Sequence, residues 1–243
     1  MYRWYAVLLL GSLFSRNSQA QVPSLKPGVP YASDSVSSHW YVEFKNNSPI
    51  SIISLVVLHS CESNNNNQGH VVTRFYDNLY GFPDEAGSFG PGADIAVEAQ
   101  NPRWCSGEVE AALYSDGHNE GTKEGIAKIF ANRKGVYSAL ESLVPILDLL
   151  YARSLKLEEA TDRIKMLTEK VQADPSIEGF QRSGMLDMYS TVDGILRNSA
   201  LRRAPEVDAL MIRDDIPREQ AYIELWRDRL RKWQSSLAGH LQN

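Results

Sequence analysis

Cysteine is scarce, with only Cys61 and Cys105 among 243 residues. Two thiols cannot build a disulfide-dense scaffold, and a tetrahedral zinc site would need two further ligands. The five histidines, at 39, 59, 70, 118 and 240, are too scattered to complete one, so neither a metal nor a cofactor is expected. Long apolar runs are also missing beyond the first twenty residues. The stretch Leu143–Tyr151 is interrupted by Pro145 and Asp148, short of the roughly 20 apolar residues that span a bilayer. Basic residues are not in excess. Twenty-five Lys and Arg against thirty Asp and Glu leave a formal charge of −5, which argues against nucleic acid as a general partner, because phosphate binding needs clustered cations. Sixteen Gly and eleven Pro are too few for a collagenous or Pro-rich low-complexity chain. No Gly-x-Ser-x-Gly elbow, Gly-rich phosphate loop or His-Glu-x-x-His motif occurs.

What is present is ordinary globular material, 43% hydrophobic and 23% charged. The first twenty residues read as an export signal: Arg3 supplies the positive start and the run from Tyr5 the apolar centre. Ser18 and Ala20 are then the small residues of a cleavage site after Ala20. A secreted or periplasmic location without a transmembrane segment is therefore expected. In an oxidising compartment Cys61 and Cys105 would pair as a disulfide.

Residues 21–36 carry no pattern and read as a flexible linker. From Ser37 to Ser115 the apolar spacing is mostly two. Trp40, Val42 and Phe44 share one face of a strand, with Tyr41, Glu43 and Lys45 on the other. Asn46-Asn47-Ser48-Pro49 is turn chemistry, and Ile50–Leu58 is rich in β-branched residues and nearly all apolar, as in a central strand. The two strands and their turn predict a hairpin. Further strands are expected at Gly69–Tyr76, Ala93–Ala99 and Glu108–Tyr114, where Val109, Ala111 and Leu113 would oppose Glu108, Glu110 and Ala112. Short strands separated by Asn-, Gly- and Pro-rich loops predict an antiparallel β-sandwich. In this pattern residues 37–115 resemble the immunoglobulin- and fibronectin-like sandwiches of exported proteins. The resemblance implies a fold and carries no functional residue with it.

After Gly117 the spacing becomes helical. Ile126, Ile129, Phe130, Tyr137, Leu140, Val144, Leu147 and Tyr151 form one stripe, which Pro145 should kink or divide. A second helix runs from Leu157 to Val171. A weaker one, carrying Gly184 and Gly194, covers about 181–201, and the last begins near Pro217 with Tyr222, Trp226, Leu230 and Trp233 in line. Charge changes at the same place: residues 21–117 hold 4 basic and 11 acidic side chains, residues 118–243 hold 19 of each. The expected architecture is α+β and multi-domain, a sandwich over 37–117 followed by a helical bundle over 118–243.

Candidate chemistry is modest. Asp116-Gly117-His118-Asn119-Glu120-Gly121 is oxygen-rich but lacks EF-hand spacing, and a loop whose Asp or Asn caps the next helix explains it. The run Arg227, Arg229, Arg231 and Lys232 has acidic neighbours and reads as a solvated helix face. Tyr76, Tyr80, Phe82, Phe89 and Trp104 cluster in and after one strand, where rings can stack on sugars or on a partner's apolar side chains. These five are the candidate binding residues. The expected function is a non-catalytic exported module that binds a protein or polysaccharide. The alternative is a glycosidase-like hydrolase using carboxylates of the 77–94 loop, such as Asp84, Glu85 and Asp94.

Overall fold

In the computed structural model, residues 25–27, 31–32, 40–61, 70–80, 89–99, 105–198 and 201–241 are described. Residues 1–20, read above as an export signal, and Phe82, Asp84, Glu85 and Trp104 lie outside them. No helix among the described residues is long and apolar enough to cross a membrane.

The N-terminal part is antiparallel β. Strands β1 (Leu25–Pro27) and β2 (Tyr31–Ala32) both pair with β3 (Trp40–Asn46), whose other edge takes β6 (Asp94–Ala99). A second sheet has the order β5-β4-β7-β8, from β4 (Ile52–Cys61), β5 (His70–Asp77), β7 (Cys105–Tyr114) and β8 (Asn119–Gly121). Thus β3 and β4 are not the expected hairpin. Asn46, fully buried, turns the chain from one sheet to the other: its side-chain nitrogen lies 3.0–3.1 Å from the carbonyls of Ile50, Phe89 and Gly90, and its side-chain oxygen accepts from the Ser48 amide.

Among the described residues no immunoglobulin- or fibronectin-like sandwich is formed, which corrects the resemblance drawn for residues 37–115. In such a sandwich each sheet keeps one face in solvent. Here the β4–β7 sheet is covered on both. Ile52, Leu55, Val57, Val109, Ala112 and Tyr114 pack with Phe44 and Phe89 on one face, while Val56, Ala111 and Leu113 pack with Ile129 of the first helix on the other. That accounts for the nearly continuous apolar stretch Ile52–Leu58 of β4, broken only by Ser54, since a strand covered on both faces needs no polar alternation. Two register shifts also disturb the alternation. Val56 pairs with Ala111 but Val57 with Val109, so Glu110 is an extra residue on β7. Val109 and Ala111 consequently fall on opposite faces, against the simple alternation expected.

Five helices follow: α1 (Lys123–Tyr151), α2 (Leu157–Ala173), α3 (Gly179–Arg197), α4 (Pro205–Asp214) and α5 (Arg218–Ala238). The chain does not leave the sheet at Asp116–Gly121. Gly117 and Gly121 take positive φ, β8 returns along β7, and α1 starts at once. Its cap is Thr122, whose hydroxyl accepts from the Gly125 amide at 2.9 Å, rather than the expected Asp or Asn. Pro145 lies within α1 without dividing it, on an exposed face. The helices enclose one large apolar cluster including Leu140, Leu143, Leu147, Ile164, Val192, Tyr222, Trp226 and Leu230. Helix α4, not expected from sequence, buries only Val207.

Helices α1 and α3 cross at backbone contact. A Cβ at Gly135 would collide with the Gln181 carbonyl, and one at Gly184 with the Asn132 carbonyl. Gly184, which weakens the helical reading of α3, is therefore there for close approach. Gly194, by contrast, has open space where its Cβ would be.

Candidate functional site

The N-terminal third of α1 meets the sheet through polar chemistry. Glu110, turned toward α1, accepts from the Lys128 ammonium at 2.8 and 2.9 Å. One turn further, Arg133 clamps Asp77 at the end of β5, with Nε 2.5 Å from Oδ2 and Nη2 3.2 Å from Oδ1. The side chains of this second pair are 1% and 2% exposed. Burial pushes the Asp77 carboxyl upward, while Arg133, the Leu79 amide and Ser54 pull it back.

Beside this pair, a cleft of about 470 Å³ opens between β5 and the helices. Strand β5 supplies one wall, through Thr73, Arg74, Phe75 and Tyr76, and Phe89 adds a ring from the next strand connection. Helix α3 supplies the facing wall: Ser183, Gly184, Asp187, Met188 and Thr191. Asn132 and Val136 of α1 and Trp233 of α5 complete the lining, together with Asp77 and Tyr80. The Tyr80 hydroxyl donates to Asn132 Oδ1 at 2.8 Å. Burial, reinforced by the Asp77 charge, holds that hydroxyl well above its ordinary pKa, so it stays protonated and donating. Asp187 stands exposed on the rim. Partial desolvation raises its carboxyl, opposed by the Ser183 hydroxyl at 3.3 Å and by the charge of Arg74.

Of the five aromatic candidates, the structure brings Tyr76, Tyr80 and Phe89 to this one cleft. They are not an exposed patch. Phe89 belongs to the core cluster between the sheets, Tyr76 packs against it, and Tyr80 packs against the helical cluster. Phe82 and Trp104 lie outside the described residues. Of the carboxylates considered for hydrolysis, Asp84 and Glu85 also lie outside, and Asp94 is exposed on β6 as the register partner of Lys45. Asp77, within the same stretch, has both oxygens engaged by Arg133 and is not placed to take up a substrate proton. The cleft therefore offers hydrogen bonds and ring surface rather than a free acid–base pair.

Cys61 and Cys105 stand directly opposite each other at the ends of β4 and β7. Asp116 accepts from the His118 amide within the β7–β8 turn, and no group of three or more His, Cys, Asp or Glu able to hold a metal occurs among the described residues. The basic residues of α5 are largely answered: Arg227 lies over the Tyr151 ring and on Asp228, Arg229 near Glu206, and Arg231 on Asp148 at 2.6 Å.

Sequence reasoning missed the polar half of the cleft. Asn132, Ser183, Asp187 and Thr191 lie on helices whose pattern announces only an apolar stripe, and Arg74 reads as the outward residue of a strand. No local signal marks them. No protein-family model matches the chain, and neither curated proteins nor solved structures give a match.

Proposed function

We propose that this chain is an exported, non-catalytic binding module whose ligand enters the cleft between β5 and helices α1 and α3. The observation that carries the reading is the convergence of Tyr76, Tyr80 and Phe89 on one cleft that also holds fixed hydrogen-bonding groups. Ring surface with a few oriented polar groups is the usual make-up of a small-molecule or side-chain recognition site. Export rests on the Arg3, apolar-run and Ser18-x-Ala20 pattern. The facing positions of Cys61 and Cys105 in the β4–β7 ladder support a cross-strand disulfide in an oxidising compartment.

Binding is tested by amide chemical-shift mapping of the mature chain against a library of small soluble compounds. Hits that perturb Thr73–Asp77 and Ser183–Thr191 together are expected. Hits that consistently map to another surface would move the function elsewhere. Mass spectrometry of the exported protein should find Gln21 at its N-terminus, and non-reducing peptide mapping should join the peptides holding Cys61 and Cys105.

A further inference from the structure

We infer that the cleft takes a neutral, polyhydroxylated ligand, a small saccharide rather than an ion or an apolar molecule. The inference rests on the binding reading above and narrows it to a ligand class. Charge comes first. Among the charged residues of the lining, Asp77 is clamped by Arg133, while the exposed Arg74 and Asp187 set opposite charges on facing walls of the cleft. A charged ligand could not pair with Asp77 without displacing Arg133 from a buried position, and at the rim it would meet Arg74 and Asp187, of opposite sign, together. A neutral ligand faces neither cost.

Hydrogen-bonding capacity comes second. Thr73 and Thr191 present hydroxyls able to donate and to accept, and the Ser183 hydroxyl, which donates to Asp187, can still accept. The Tyr80 hydroxyl fixes the Asn132 amide by donating to Oδ1, which leaves Nδ2 without an acceptor among the described residues and directs two donors to whatever fills the cleft. An apolar occupant would strand that nitrogen, and a hydroxyl oxygen would satisfy it. Third, the half-buried Tyr76, backed by the buried Phe89 and Trp233, gives apolar ring surface that the C–H face of a sugar ring can cover. Mixed donors and acceptors, cancelled charge and ring surface describe a polyol site better than they describe an anion, cation or hydrocarbon site.

The test is a binding panel on the full mature chain, read by ligand-observed and amide NMR. The probes are N-acetylglucosamine, maltose and cellobiose as neutral sugars, glucosamine and glucuronate as charged ones, and indole as an apolar one. At least one neutral sugar should bind and shift the amides of Ser183, Asp187 and Thr191, more tightly than either charged sugar. Thr191→Val should weaken that sugar about three- to tenfold, the worth of one neutral hydrogen bond, without moving the melting temperature. Arg74→Gln, at an exposed position, should uncover Asp187 and turn the preference toward glucosamine under mildly acidic conditions. Tighter binding of indole or of a charged sugar by the unaltered cleft would overturn the ligand class while leaving the binding reading intact. Absence of cleft shifts with every probe would overturn both.

Discussion

Helix α1 joins two different kinds of interface, and the contrast between its ends is instructive. Its first third meets the sheet through Ile129 and a small apolar cluster, flanked by Glu110–Lys128 and Asp77–Arg133. Its remainder lies in a large cluster of aliphatic and aromatic residues, where Tyr222, Trp226 and Trp233 of α5 meet in successive edge-on contacts. Apolar burial is non-directional and tolerates sliding, whereas a bidentate guanidinium–carboxylate pair has one geometry. The sheet end of α1 is therefore the aligning end and the bundle end the stabilising one. The cleft opens beside the aligning end, where a displaced residue would be felt most.

The contrast can be broken most forcefully at Arg133. Arg133→Met strands a buried carboxylate and should cost about 3–5 kcal/mol by urea unfolding, and adding Asp77→Leu should recover most of that loss. The pH response carries a sign. Because the folded Asp77 carboxyl is raised, its contribution to stability is fully present below the unfolded value, near 4, and is lost as pH rises through the folded one. Removing Arg133 raises the folded value further, so the deficit of the single variant should shrink on acidification. A deficit that grows in acid would mean the pair is solvated.

Next in size is Gly184→Ala. The new Cβ meets the Asn132 backbone rather than a yielding side chain, and a loss of about 1–3 kcal/mol is expected. Tyr222→Phe samples the bundle end. It removes the 2.6 Å bond to the Ile195 carbonyl and should cost about 1 kcal/mol near neutrality. Burial lifts the Tyr222 hydroxyl to about 12 from the ordinary 10. Stability due to it is complete below pH 10 and disappears as pH rises through 12, so the variant should show a shallower alkaline decline in thermal melts. Smallest is Gly194→Ala, which meets nothing and should stabilise by about 0.5–1 kcal/mol, seen as a raised melting temperature.

Strands and helices were legible where one residue pattern carried its own explanation. Ile50–Leu58 reads as a central strand and is β4; Leu157–Val171 reads as a helix and lies within α2. The sandwich was not legible, because the pattern of β4 says that both faces are covered without saying by what. The residue that reverses the alternation of β7, Glu110, is ordinary in sequence and becomes a bulge only through its pairing with β4. Helix α4 escaped because it is only ten residues long and buries one Val, too short a stretch to carry a clear periodic signal. The aromatic half of the cleft could be anticipated from the closeness of Tyr76 and Tyr80 along the chain. Its polar half could not, since Asn132 and Thr191 reach it only through the crossing of α1 and α3.

That crossing has a mechanical consequence. With the Gly135 and Gly184 backbones against their neighbours' carbonyls, no side chain at those two points can be squeezed or released. The contact acts as a fulcrum, about 10 Å along α3 from Thr191 at 1.5 Å per residue. Swinging the Thr191 end outward to widen the cleft drives the opposite end toward β5, where Phe180 already stands edge-on to Phe75 with ring centres 5.7 Å apart. The lever is blocked at its short arm. A ligand of the proposed site would meet an aperture set by this helix packing and would lose little affinity to reshaping it.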